Sequence, residues 1–180
     1  MGLISKGRLS ALTETKLGYR LFSDKLMEAK SQSRYSATST IFLSHSHDDK
    51  DEVKKAVVFL RSIGILVYID WLDSAMPPFT NAETAEKIKN KIKECNKFIL
   101  LATNNAISSK WCNWELGFGD AQKYINKIAL FPLSENSGNW NGAEYLRIYP
   151  RIEESNYTSE YYKVIYPDGK EISVAEWFKL

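Results

Sequence analysis

The sequence has few cysteines and no long apolar run, and each scarcity excludes a class of protein. Only two cysteines, Cys95 and Cys112, occur in 180 residues, so neither a disulfide scaffold nor a thiolate metal site is expected. No apolar run approaches the ~18 residues of a membrane span, and the first residues lack the apolar core of a signal peptide. We therefore expect a cytoplasmic protein with free thiols, no metal and no membrane partner.

An excess of one charge and a glycine-rich phosphate motif are also lacking. The formal net charge is +2, from 24 Lys and Arg against 22 Asp and Glu, which is too small to indicate nucleic acid as a partner. No GxGxxG or Walker sequence occurs, so an ordinary Rossmann or P-loop nucleotide site is not expected. With 44% hydrophobic and 13% aromatic residues, the composition is that of a globular domain.

From residue 40 onward, short apolar runs alternate with amphipathic stretches. The pattern predicts strands at 41–43, 65–69, 98–102, 128–131 and 145–149, and helices at 51–62, 80–95 and 109–124. The strands are apolar throughout, which indicates burial on both faces. Strands that alternate with helices predict an α/β fold, with a parallel sheet covered by helices on both faces.

The two ends of the chain follow other patterns. Helical spacing at 10–30 and a polar stretch at 31–39 predict a helix and a linker, and the turn Pro167-Asp168-Gly169 predicts a hairpin before a short helix. We divide the chain into an N-terminal helix and linker (1–35), a central domain (36–152) and a C-terminal hairpin with a short helix packed on that domain (153–180). The first helix is expected to be an addition without which the central domain still folds. The hairpin is expected to cover the edge of the sheet.

Ligands of open parallel sheets bind at the carboxyl ends of the strands, where polar loops occur at 44–50, 70–79 and 103–110. In the helix after the third loop, Trp111 and Glu115 are four residues apart and therefore share one face. The ring could stack on a base or pyridine, and the carboxylate could stabilise developing positive charge. Spacing alone favours a plainer interpretation, in which Trp111 is a core aromatic and Glu115 a solvated charge.

Three motifs resemble those of bacterial Toll/interleukin-1 receptor (TIR) domains. FLSHS at 42–46 followed by DDK resembles the first conserved box, and DWLD at 70–73 followed by Met-Pro resembles the BB loop, which joins the second strand to the second helix. SKWCNWEL at 109–116 is similar to the S-x-W-C-x-x-E-L signature of TIR domains that act on NAD⁺. The resemblance covers about 40–149 and implies a flavodoxin-like, five-stranded parallel sheet with helices on both faces.

The resemblance also implies an activity, NAD⁺ glycohydrolase or ADP-ribose cyclase, with NAD⁺ as substrate, no cofactor and Glu115 as the catalytic residue. It places substrate contacts at seven positions: Ser44, His45, Ser46, Asp70, Trp71, Asp73 and Trp111. The residues themselves leave Asp70 and Asp73 open between ligand binding and capping of the next helix. For His45 and His47 they favour loop hydrogen bonds over a general-base role.

The partners implied by the resemblance are further copies of the chain, which would assemble through the BB loop at 71–79, and a downstream effector that senses the nucleotide product in anti-phage defence. Two other functions remain open. A non-catalytic TIR adaptor would share the fold without needing Glu115, and the intact Trp111/Glu115 pair argues against it. A nucleoside deoxyribosyltransferase-like enzyme has a similar sheet and a catalytic glutamate, but lacks the tryptophan–cysteine signature.

Overall fold

The computed structural model describes residues 2–16, 40–63, 65–70, 81–135, 140, 142, 144–155 and 162–180. Strands occur at β1 Ile4–Ser5, β2 Thr40–Ser44, β3 Leu66–Tyr68, β4 Lys97–Ala102, β5 Ile128–Ser134, β6 Arg151–Glu154, β7 Tyr162–Ile165 and β8 Glu171–Ser173. Helices occur at α1 Lys6–Lys16, α2 Lys50–Ser62, α3 Ala82–Glu94, α4 Asn104–Ser108, α5 Lys110–Gln122 and α6 Val174–Lys179.

The described strands form one sheet in the order β3-β2-β4-β5-β6-β7-β8, and β1 pairs with β5. The five strands from β3 to β6 are parallel. Numbered along the chain among themselves they run 2-1-3-4-5, which is the flavodoxin-like order. The predicted fold class is therefore confirmed. The strand count differs from the expected five, because β1 and the antiparallel strands β7 and β8 extend the sheet.

Helices cover both faces because successive side chains of a strand point to opposite sides. Ile41 and Leu43 of β2 belong to the same buried cluster as Val53 and Leu60 of α2. Phe42, which lies between them, belongs to the opposite cluster with residues of α3 and α5, including Ile88. The continuous apolar pattern of the strands thus reflects burial on two sides, as predicted. No helix in the described part of the chain is long and apolar enough to cross a membrane.

The N-terminal segment is part of the sheet and of the core. The helix begins at Lys6 rather than at the predicted residue 10, and Ile4 of the preceding strand pairs in parallel with Leu133 of β5. Ile4 and Leu9 are both 0% exposed and belong to the cluster that also contains α2. This burial contradicts our expectation that the first helix is an addition to the domain. The remainder of the predicted helix and the linker lie outside the described residues.

The strand predicted at 145–149 is wrong. Glu144–Ile148 forms a 3-10 helix, and the fifth parallel strand follows it as β6. The apolar spacing of this segment fits a single turn as well as a strand, since Leu146 and Tyr149 lie three residues apart and are both buried. Pairing with β5 begins where the N–H of Leu130 donates to the carbonyl of Pro150, at 2.8 Å.

The predicted C-terminal hairpin and helix are present. β7 and β8 pair in antiparallel register across a turn in which Gly169 has a φ of 87°, a conformation that suits glycine. Ser173 and Glu176 form a capping box at the start of α6. Trp177 of this helix is 0% exposed, and the Nζ of Lys97 at the start of β4 lies 4.8 Å from its ring centroid. The hairpin thus extends the sheet, and the helix packs against the amino end of β4.

Candidate active site

The end of β2 and the second turn of α5 bring Ser44 and Glu115 together. The Ser109 side chain caps α5 by accepting from the backbone N–H of Cys112 at 3.3 Å. Cys112, Leu116 and Gly119 face the sheet, and a Cβ at position 119 would lie 3.1 Å from the Phe98 ring. A glycine there therefore allows α5 to pack closely on β4, which places Glu115 on the buried face beside Ser44.

Glu115 is a buried acid, not the solvated charge of the plainer interpretation. It is 3% exposed, and its Oε2 accepts a hydrogen bond of 2.5 Å from the Ser44 hydroxyl. The pKa of Glu115 is raised to about 8: burial is the largest cause and the negative charge of Asp70 adds to it, whereas hydrogen bonding to Ser44 and Trp111 acts in the opposite direction. The carboxyl therefore titrates close to neutral pH, which is typical of groups at functional sites.

Trp111 lies one turn before Glu115 and is half-buried. Its ring stacks on that of Trp114, with centroids 4.8 Å apart and an angle of 29° between the planes. It also packs against the hydrophobic cluster between α5 and the sheet, so it contributes to the core as the plainer interpretation holds. Its polar edge lowers the pKa of Glu115, so the ring also borders the buried carboxyl. The two interpretations of Trp111 are thus compatible.

Asp70 lies between two imidazoles at the end of β3. The Nδ1 of His45 is 2.8 Å from the carbonyl oxygen of Leu43, and because a carbonyl can only accept, Nδ1 carries the hydrogen. The Nε2 of His45 is 3.5 Å from Asp70 Oδ1, and the Nε2 of the exposed His47 is 3.9 Å from Oδ2. Asp70 does not cap α3, because Asn81 occupies that position.

The Ser46 side chain makes a hydrogen bond within its own loop. Its hydroxyl accepts from the backbone N–H of Asp48 at 3.3 Å and caps the 3-10 turn His47–Asp49. The direct substrate contact expected of Ser46 therefore competes with a structural use of the same oxygen. Trp71 and Asp73 lie outside the described residues, as does the BB loop at 71–79.

The structure thus groups Ser44, Asp70, Trp111 and Glu115, and His45 joins them through Asp70. Among the described residues, no set of three or more His, Cys, Asp or Glu side chains could hold a metal ion. One buried acid next to this group, Asp49, received no role from the sequence. It is 1% exposed and accepts from Thr103 and Asn105 of the third loop.

The comparison with protein families agrees with the topology. Residues 41–158 match the sequence model of the TIR domain. The chain belongs to the TIR domain family. The matched region contains all five parallel strands except the first residue of β2, and it contains Ser44, Asp70, Trp111 and Glu115.

Two curated relatives resemble this TIR domain. The chain is 31% identical over 116 residues to a Bacillus cereus protein provisionally named a 3′ cyclic ADP-D-ribose synthase. The matched segment covers 62% of this chain and 59% of the relative. The chain is 26% identical over 81 residues to a Cytobacillus dafuensis protein provisionally named a cyclic ADP-D-ribose synthase, covering 43% of this chain and 21% of the relative. The chain thus spans less than two thirds of the length of either relative.

A solved structure of the same family is the TIR domain of the Toll-related receptor TRR-2 from Hydra magnipapillata. It is 18% identical to this chain and superimposes with a TM-score of 0.45, covering 61% of this chain and 78% of the receptor domain.

Proposed function

We propose that this TIR domain cleaves the nicotinamide–ribose bond of NAD⁺, with Glu115 as the catalytic residue. The observation that carries the proposal is a carboxyl that is 3% exposed, is held by the Ser44 hydroxyl at 2.5 Å, and lies beside the half-buried ring of Trp111. The group lies at the carboxyl end of the parallel strands, where ligands of this fold class bind. Trp111 and Glu115 also lie in the segment that resembles the signature of NAD⁺-cleaving TIR domains.

The chemistry needs an anion more than an acid. Nicotinamide leaves as a neutral molecule, so no proton has to be donated to it, while positive charge develops on the ribose. A carboxylate next to the anomeric carbon stabilises that charge or traps it covalently, as in glycoside hydrolysis. The ionised form of Glu115 is therefore the active form, and the hydrogen bond from Ser44 stabilises it. The nicotinamide ring of NAD⁺ is cationic, so bound substrate also favours the carboxylate.

The remaining groups have binding roles in this proposal. Trp111 stacks on a ring of the substrate and excludes water, and His45 and Asp70 hold ribose or phosphate oxygens. Ser46, Trp71 and Asp73 stay as expected contacts from the family resemblance. Attack by water on the ribose would give ADP-ribose, and attack by a hydroxyl or ring nitrogen of the same molecule would give a cyclic isomer. The names of the two relatives support a cyclic product.

The biological setting follows the same resemblance. We propose that the product is a signal for a downstream effector in anti-phage defence, and that copies of the chain assemble through the BB loop at 71–79. A cytoplasmic location suits this role, and the two cysteines, Cys95 and Cys112, are both free and buried, as a reducing compartment would allow.

The test is to incubate the purified chain with NAD⁺, with and without Glu115→Gln, and to separate the products. Release of nicotinamide by the wild type, but not by the variant, supports the proposal, and the second product identifies hydrolysis or cyclisation. Folded wild-type protein that releases no nicotinamide at any concentration up to its solubility limit would instead favour the adaptor.

A further inference from the structure

Asp49 is a buried acid at the beginning of α2 that does not cap its own helix. It occupies the N-cap position but makes no side-chain hydrogen bond to the backbone of α2, although aspartate is among the preferred capping residues. Its carboxylate instead reaches the loop after β4. There it accepts a hydrogen bond from the hydroxyl of Thr103 and one of 2.7 Å from the amide of Asn105.

These two donors lie at the start of the segment that carries the catalytic helix. The Thr103 oxygen also accepts from the backbone N–H of Ala106 at 3.0 Å and so caps α4. α4 ends at Ser108, and Ser109 caps α5, which contains Glu115. A contact to Thr103 therefore acts on the placement of the α4–α5 segment.

On its N-terminal side, Asp49 is connected to Ser44 by a short loop. Only four residues separate the two, and they form a tight turn in which the backbone N–H of Asp49 donates to the carbonyl of Ser46 at 3.1 Å. The first loop thus contacts the α4–α5 segment at two points. At one end Ser44 donates to Glu115, and at the other end Asp49 accepts from Thr103 and Asn105.

We infer that Asp49 is a positioning residue: it clamps the first loop to the third and thereby holds the Ser44 hydroxyl on the carboxyl of Glu115. The inference rests on the proposed function, because it assigns Asp49 to the same site. Asp49 is 1% exposed, so its own contacts are with protein groups and its effect on the reaction passes through the contact between Ser44 and Glu115. A short hydrogen bond is sensitive to small displacements of either partner, and misplacement by about 1 Å can cost about a hundredfold in rate.

The pairing of donors and acceptors supplies a selective test. In Asp49→Asn one acceptor becomes an amide N–H, which would face the donor of Asn105 or Thr103. In the double variant Asp49→Asn with Asn105→Asp, the amide can donate to the new carboxylate while its oxygen still accepts from Thr103. The exchange reverses one hydrogen bond and keeps the shape of the clamp. Asp51→Asn is the matched control, since its side chain is 75% exposed two residues further on.

The experiment measures kcat and KM for NAD⁺ against pH, together with the titration of the Glu115 carboxyl by ¹³C NMR. We expect Asp49→Asn to lower kcat by about tenfold or more with KM within about twofold, and to move the acid limb of kcat to higher pH because Ser44 no longer stabilises the carboxylate. The double variant should recover most of the loss, and Asp51→Asn should match the wild type.

A control must show that a general loss of stability does not lower kcat or shift the pH profile in the same way. Val164→Ala, in a fully buried position of β7, provides a variant that is destabilised away from the site and should keep the wild-type pH profile. If Asp49→Asn does not fold, Asn105→Ala removes one donor of the clamp and is measured in the same way. An unchanged kcat and an unchanged Glu115 titration in folded variants would overturn the inference. A wild type that does not cleave NAD⁺ would overturn the proposed function, while the NMR titration would still test the clamp.

Discussion

The Ser44 hydroxyl lies 2.5 Å from Oε2 of Glu115, and this contact joins the end of β2 to the second turn of α5. The two residues are 71 positions apart in the chain. Their meeting depends on the parallel pairing of β2 with β4 and on the close packing of α5 against β4 at Gly119. The hydrogen bond opposes the effect of burial on the carboxyl, so it widens the pH range in which Glu115 is ionised.

Replacement of Glu115 by glutamine should abolish NAD⁺ cleavage and raise stability at neutral pH. Burial raises the pKa of Glu115 from 4.5 to about 8, so below pH 4.5 the carboxyl is protonated in both states. Between pH 4.5 and about 8, the Glu115 carboxyl is ionised in the unfolded chain but protonated in the folded chain. The free energy of unfolding therefore falls as the pH rises to about 8. The glutamine variant lacks this loss and should be more stable by about 3 kcal/mol at pH 7. Urea unfolding from pH 4 to 9 measures the difference. The same change of unfolding free energy with pH in both proteins would contradict the prediction.

Removal of the Ser44 hydroxyl should move the pH profile of catalysis. Without the hydrogen bond, the pKa of Glu115 rises further, so Ser44→Ala should lose activity most strongly on the acid side and regain part of it at higher pH. Ser134→Ala is a suitable control, because Ser134 is also buried and its hydroxyl has no hydrogen-bond partner among the described residues. The measurement is kcat from pH 6 to 9.5. A uniform loss at every pH would show that Ser44 acts through something other than the ionisation of Glu115.

The sequence predicts those parts of the site that occupy regular elements. Ser44 ends an apolar strand, and Trp111 and Glu115 are four residues apart in a predicted helix. The local pattern therefore predicts where each of the three lies in the fold. The role of Asp49 could not be predicted in this way, because its partners Thr103 and Asn105 are 54 and 56 residues away. The sequence offers only a weak indication: Asp49 is an acid in the first box, and the third loop at 103–110 is rich in hydroxyl and amide groups that could donate to it.

The errors at the edges of the sheet have a physical cause as well. A strand of two residues, such as Ile4–Ser5, is too short to show a period of two, so nothing local distinguishes it from a disordered end. At 144–148 the burial of Leu146 and Tyr149 satisfies the apolar pattern by a single turn. The pairing of β1 with β5, and the packing of Leu146 and Tyr149 in the cluster that contains Leu130, join residues far apart in the chain, and such contacts are not visible in a window of sequence.

Shortening a buried side chain of the N-terminal helix should destabilise the whole domain. Leu9 is 0% exposed and belongs to the core cluster that includes residues of α2 and β5. Leu9→Ala should lower the free energy of unfolding by about 2 to 5 kcal/mol, and removal of residues 2–16 should leave β5 without its β1 partner. Exposed Ala11→Gly on the same helix would cost about 1 kcal/mol or less. Unfolding midpoints of the three proteins distinguish an integrated segment from a dispensable one.

The assembly prediction concerns the BB loop, which lies outside the described residues. Its sequence has prolines at 77 and 78, which fix φ and cannot donate backbone hydrogen bonds, followed by the apolar Phe79. If this loop completes the site of a neighbouring copy, Pro77→Ala with Phe79→Ala should lower specific activity without unfolding the chain. High protein concentration should then restore part of the activity. Wild-type activity per molecule that stays constant from nanomolar to tens of micromolar concentration, with monomers alone in light scattering, would contradict assembly.

The buried ammonium of Lys97 should reduce stability at neutral pH. Its side chain is 1% exposed, and its Nζ has no hydrogen-bond partner within the described part of the chain. Burial, with a smaller effect from Lys127, lowers the pKa of Lys97 from 10.5 to about 8. Below pH 8 the folded protein must hold the charge, so the full penalty applies there. Between pH 8 and 10.5 the folded chain releases a proton that the unfolded chain keeps, and the free energy of unfolding should rise.

Lys97→Met tests this directly, because methionine keeps the length of the side chain and removes the charge. The variant loses the cation–π contact with Trp177, which is 4.8 Å from Nζ to ring centroid and is worth about 1 to 2 kcal/mol when desolvated. The burial penalty is larger, at about 3 kcal/mol for a pKa shift of this size. We therefore expect Lys97→Met to be more stable than the wild type by about 1 to 2 kcal/mol at pH 7. The gain should shrink as the pH approaches 10.5, whereas the exposed Lys170→Met should show neither effect. A variant that is less stable at pH 7 would mean that the contact with Trp177 outweighs the cost of burying the charge.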